Sequence, residues 1–208
     1  ELVSLPFDFV EWRADWYEHA EEPGKAAEVL KDLRQILGDV PILFTFRSKK
    51  EGGEKELDSF DYLELNRQAA GSGYADLVDI ELMTGLEAGE ESLRETVLAV
   101  SHDFEKTPSN EELIRRLQEM DRLGADILKE AVMPQSREDV LRLLAVTEQV
   151  SRTVCQPVVT MAMGSLGVVT RLTGEAFGSA VTFGSAGVSS APGQMDVSAL
   201  KAVLDAVH

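Results

Sequence analysis

The sequence predicts an α/β protein of the (β/α)8 TIM-barrel type, because short apolar runs recur along it and stretches of helical period separate them. Its 208 residues, 44% of them hydrophobic, can bury one substantial core and lie at the short end of what a barrel needs. Residues 1–208 are therefore read as a single domain.

Eight runs are the candidate strands: residues 2–5, 9–13, 41–47, 76–82, 97–102, 125–133, 157–163 and 180–183. Residues 111–124 place apolar side chains at three- and four-residue spacing and end on a glycine stop, and 137–147 repeat the spacing, so both are predicted helices. Eight strands with helical returns favour a closed barrel over an open doubly wound sheet. One connection conflicts with that plan. Only Pro6, Phe7 and Asp8 separate the first two runs, whereas a crossover between parallel neighbours needs a dozen or more residues. Either the first crossover helix is lost, or the sequence joins stretches that are not contiguous in the native gene. The link from Leu82 to Val97 has room for a small helix.

Twenty basic against 37 acidic residues give a formal charge of −17, which opposes nucleic acid and anionic membrane as partners. No apolar stretch approaches membrane-spanning length, no secretory signal is visible, and a cytoplasmic protein is expected. Cys155 is the single cysteine, and no Cys/His cluster has metal-ligand spacing, so no metal is expected. Without a Gly-x-Gly-x-x-Gly turn or a Walker-type motif, nucleotide binding has no support.

The active site of a parallel barrel lies at the C-terminal ends of its strands. Those positions hold Glu11, Arg13, Arg47, His102, Lys129, Met161 and Met163, with Ser190 and Gln194 in the last loop. Lys129 stands inside an apolar strand, where desolvation would lower its pKa and free the amine to attack a carbonyl. Taken alone, a lysine whose ammonium snorkels to the surface is the blander reading. His102 closes the preceding strand and suits proton transfer near neutral pH, although a lone histidine is more often structural. Arg13, Arg47 and Arg171 could hold a carboxylate, with Glu11 and Glu51 orienting them or the histidine. Residues 161–194, rich in glycine and small side chains, read as loops that let backbone approach a ligand.

Seven segments then occur together in order. They are Glu-Trp-Arg-Ala-Asp (11–15), Phe-Thr-Phe-Arg-Ser-Lys-Lys-Glu-Gly-Gly-Glu (44–54), His-Asp-Phe-Glu-Lys-Thr-Pro (102–108), Gly-Ala-Asp-Ile-Leu-Lys-Glu-Ala-Val-Met-Pro (124–134), Thr-Met-Ala-Met-Gly (160–164), residues 170–184, and Ser-Ala-Pro-Gly-Gln (190–194). In these the chain resembles the type I 3-dehydroquinate dehydratases. The resemblance implies a barrel enzyme of the shikimate route to aromatic amino acids, converting 3-dehydroquinate to 3-dehydroshikimate without metal or organic cofactor. Lys129 would form an imine with the substrate ketone, His102 would move protons, and Glu51 would tune that histidine. Arg171 would bind the substrate carboxylate. Ser4, Glu11, Arg13, Arg47, Ser190 and Gln194 would supply further polar contacts, Met161 and Met163 the pocket wall, and residues 186–194 a closing loop. A homodimer is expected. The chain departs from the family in lacking the helical crossover between Ser4 and Glu11 and in a shorter stretch before His102. A class I aldolase on the same barrel, or a degenerate barrel that binds a small carboxylate, are the competing readings.

Overall fold

The structure, a computed structural model, describes residues 4–82 and 96–207. Among these residues six strands and six helices follow one another: β1 (Val10–Arg13), α1 (Lys25–Leu37), β2 (Ile42–Thr45), α2 (Ser59–Gly71), β3 (Leu77–Glu81), β4 (Thr96–Asp103), α3 (Asn110–Arg122), β5 (Ile127–Val132), α4 (Arg137–Ser151), β6 (Val158–Ala162), α5 (Gly164–Thr173) and α6 (Val197–Val207). All strand pairs are parallel and the sheet order is the chain order, β1 to β6. Consecutive parallel neighbours with helical returns are the winding of a (β/α) barrel.

Side chains alternate across such a sheet, and the two faces make two apolar clusters. Outward residues such as Phe44, Val78, Ala99, Leu128 and Val132 pack on Leu30 of α1, Leu113, Leu117 and Met120 of α3, and Leu143 of α4. Inward residues Leu43, Leu98, Val100, Ala131, Val159 and Met161 fill the lower barrel with Phe183. The predicted helix at 111–124 is α3, begun by the Ser109 side chain accepting the Glu112 N–H at 3.3 Å. The one at 137–147 runs on to Ser151 and starts in a capping box of Ser136 and Asp139. Among the described residues no helix is long and apolar enough to cross a membrane.

Two expected strands are not seen among the described residues. Residues 2 and 3 of the run 2–5 lie outside the described residues, and Ser4 sits in an exposed helical turn, because the three residues before Phe9 cannot return the chain to the start of a parallel neighbour. Residues 180–183 form no strand: their segment meets the sheet by a single bridge just before them, Val158 to Ser179, with Ala180 N–H donating to Val158 O at 2.8 Å. No ladder forms on their far side, and Ser179 uses its hydroxyl, not its backbone, to meet the Thr160 N–H at 3.1 Å. The gap between β1 and this segment is spanned by side chains, Phe9 and Phe183 meeting edge to face at 5.5 Å. The helix allowed between 82 and 97 falls outside the described residues.

A third difference concerns residues 161–194, which hold a real helix, α5, despite their glycines. Gly167 is the reason the helix fits: a Cβ there would stand 2.2 Å from the carbonyl oxygen of Ala162. Helix and strand touch backbone to backbone. Gly167→Ala is therefore expected to destabilise the fold by about 2–3 kcal/mol, read as a lowered urea midpoint with the transition slope unchanged.

Candidate active site

The C-terminal strand ends converge on a cavity whose wall includes Glu11, Arg13, Arg47, Glu51, His102, Lys129, Met161, Met163, Arg171, Ser190 and Gln194. Eleven of the twelve residues singled out from sequence meet there. Ser4 does not: it is exposed and is not part of that wall.

Lys129 projects inward from the middle of β5 with 4% of its surface exposed. Its ammonium lies 4.5 Å from the centre of the Phe183 ring. Burial lowers the amine pKa; the Glu11 and Asp79 carboxylates pull it back up, and the Arg47 and Arg171 charges push it further down. The snorkelling alternative fails here, because the nitrogen is enclosed.

His102 occupies the upper level of β4, buried against the Phe104 ring. Its Nδ1 lies 2.8 Å from Glu51 Oε2, which also accepts the His102 backbone N–H at 3.1 Å. Nδ1 is thereby committed, and Nε2 is left for the cavity. Burial holds the imidazole well below its usual pKa, as do the Arg47, Lys129 and Arg13 charges, so the ring is a neutral base. Burial also lifts the Glu51 carboxyl to about 8, against the pull of Arg47 and with Glu81 and Asp79 adding to the rise. Glu51 reaches its place through a tight loop after β2. At Gly53 a Cβ would stand 1.9 Å from the Arg47 carbonyl oxygen, so only glycine lets the loop fold back this closely.

Arg47 is less available than its position suggested. One terminal nitrogen donates to Asp79 Oδ2 at 2.7 Å, the other to Glu81 Oε1 at 3.1 Å with Glu51 Oε2 3.6 Å away. Burial opposes its charge, but Asp79, Glu51 and Glu81 together hold the pKa above its usual value. Arg13 is likewise engaged, forked onto Asp15 by two hydrogen bonds of 2.7 Å, with a third donated to Ser190 O at 3.3 Å. Gln194 fixes the last loop by accepting from Ser190 N–H at 2.7 Å and donating to Gly184 O at 3.1 Å.

Arg171 differs from both. It is 3% exposed, its contacts are the Met161 sulfur at 3.4 Å and the carbonyls of Phe183 and Pro192 at 3.5 Å, and its Nε has no partner among the described residues. Burial alone lowers its pKa. Among the described residues no carboxylate pairs with it, so it is the cavity cation that calls for an anion from outside.

Asp79, Glu81 and Phe183 were missed in the sequence. The two acids stand at alternate positions of an apolar strand beside the one that ends in Arg47, a signal that an inward pair was available to it. Nothing local marks Phe183 as the floor under an amine.

A model of the family described as type I 3-dehydroquinase matches residues 1–208. A 3-dehydroquinate dehydratase of Listeria monocytogenes serotype 4b is 49% identical, over 100% of this chain and 84% of its own length. The enzyme of the same name from Salmonella typhimurium is 45% identical over 97% of this chain and 83% of its own. Among solved structures, a type I 3-dehydroquinate dehydratase from Clostridium difficile, with covalently modified comenic acid, superposes with a TM-score of 0.92. It shares 42% identity and covers 100% of this chain and 84% of that one. Matched along its whole length by the family model and by relatives that share its fold, the chain belongs to the type I 3-dehydroquinase family.

Proposed function

We propose that this chain is a lyase that dehydrates 3-dehydroquinate to 3-dehydroshikimate, in the shikimate route to aromatic amino acids, through an imine on Lys129. The observation that carries the reading is a buried amine of lowered pKa facing the same cavity as a neutral imidazole and an arginine without a carboxylate partner among the described residues. Residues 1–208 act as one barrel domain of a cytoplasmic homodimer.

The chemistry follows from these groups. The free Lys129 amine adds to the substrate ketone, and loss of water from the adduct gives a protonated imine. That cation accepts the electron pair released when His102 Nε2 removes the C2 proton, which gives an enamine. The pair then returns to expel the C1 hydroxyl, which leaves as water with a proton from His102. Hydrolysis of the imine frees the product ketone and restores the amine. Glu51 holds the imidazole by Nδ1 and so keeps Nε2 turned to the substrate. Arg171 takes the substrate carboxylate, while Glu11, Arg13, Arg47, Ser190 and Gln194 face the hydroxyls from the rim and Met161 and Met163 form an apolar wall.

Borohydride reduction in the presence of 3-dehydroquinate tests the central step: a mass adduct on Lys129 is expected, and ligand binding with no adduct would sink the imine. Lys129→Ala should abolish turnover while keeping measurable affinity, and His102→Ala should slow turnover by roughly 10²- to 10⁴-fold. A carbon–carbon cleavage product would point instead to an aldolase. Arg171→Met is expected to weaken substrate binding by about 10- to 100-fold, the loss of a charge-assisted contact, and titration calorimetry with Lys129→Ala as background reads it without turnover. The pH dependence of trapping carries a sign. Glu11 raises the Lys129 pKa, so Glu11→Gln should lower it further and move the acid limb of the trapping rate to lower pH. A limb displaced upward would contradict the electrostatic account.

A further inference from the structure

Behind the cavity, on the face of the sheet that α3 covers, a second polar cluster touches the same two strands. One Arg116 nitrogen donates to Ser101 Oγ at 3.2 Å and to Glu130 Oε1 at 3.0 Å. Its Nε donates to Glu112 Oε1 at 2.8 Å within α3, and its other terminal nitrogen lies 4.0 Å from Asp103 Oδ2. Ser101 and Asp103 flank His102 on β4, and Glu130 follows Lys129 on β5. Strand alternation turns His102 and Lys129 inward and these neighbours outward. Ser101 and Glu130 are register partners, so the bridge spans the two strands at one level.

The cluster is expensive. Glu130 is fully buried, its Oε2 has no partner among the described residues, and burial lifts its carboxyl to about 8 against the pull of Arg116. A well-packed apolar pair at such a place is usually as stable or more so. Stability is thus a poor reason for an ionic group at this point, whereas geometry is a good one. Ladder hydrogen bonds set the register of two strands but leave their mutual twist free over many degrees. A side-chain bridge at a single level narrows that freedom.

We propose that Arg116, Ser101 and Glu130 form a positioning clamp that holds β4 and β5 from behind, fixing the spacing between the His102 imidazole and the Lys129 amine. The inference rests on the roles given above to those two residues. None of the three clamp residues touches the substrate; they act through the backbone of their neighbours. Misplacement by about 1 Å can cost roughly 100-fold in rate.

The test uses the full chain. Arg116→Met/Glu130→Met removes both charges together, leaving no unpaired partner, and is expected to melt at or above the parent temperature. Its kcat should fall about 10- to 100-fold with KM within about 3-fold. Substrate deuterated at C2 should give a larger isotope effect on kcat than with the parent. Ser101→Ala and Arg116→Lys, which keep the ion pair but break the bridge to β4, should lower kcat about 3- to 10-fold without altering the melt. They decide the matter if the double variant does not fold. Parental kcat in the double variant, or in both single ones, overturns the clamp. An unsubstituted chain that binds 3-dehydroquinate without dehydrating it would instead remove the reading beneath it.

Discussion

The buried guanidinium of Arg47 is the fixed point of this barrel's interior. It sits among Asp79, Glu81 and Glu51, three carboxylates that would repel one another and resist burial without it. Removing one partner from such a group leaves an uncompensated buried charge and costs about 3–5 kcal/mol. Because Glu51 belongs to the cluster, the orientation of His102 derives from it; because Asp79 does too, part of the field at Lys129 does as well. The environments of the His102 imidazole and the Lys129 amine are therefore tuned by one ion cluster spread over β2, the loop after it, and β3.

That arrangement explains why the sequence was informative about some residues and silent on others. Lys129 and His102 stood out only together: each alone reads more readily as structural, but they close neighbouring strands at one rim, and both face the cavity. Asp79 and Glu81 went unread because acids in a strand are ordinary until their partner is known, and the partner is on another strand. Arg47 was read as a ligand contact, and the letters do not say that its terminal nitrogens also hold Asp79 and Glu81. From the residues alone Arg171 looked no different from Arg13 or Arg47; the family resemblance set it apart, and among the described residues the count of neighbouring carboxylates does so too.

The fold shows the same division. Strands with long apolar runs, β2 to β6, are found within a few residues of their expected bounds, because burial on both faces demands such runs. The run at 180–183 has the composition of a strand but lacks a neighbour on its far side, and a strand is a property of a pair. Helix α5 was taken for loop because glycine is a poor helix former, yet at Gly167 the missing side chain is what allows contact with β6. Helical propensity yielded to packing there.

Phe183 carries a consequence of its own. It is the floor beneath the Lys129 amine, it meets Phe9 across the open side of the barrel, and it comes from a segment that follows every strand of the sheet. During synthesis β5 leaves the ribosome more than fifty residues before that ring does. Without that ring the amine would lose its apolar floor, and less of the burial that lowers its pKa would remain. A side chain set in the middle of β5 thus owes part of its enclosure to a segment more than fifty residues further along the chain.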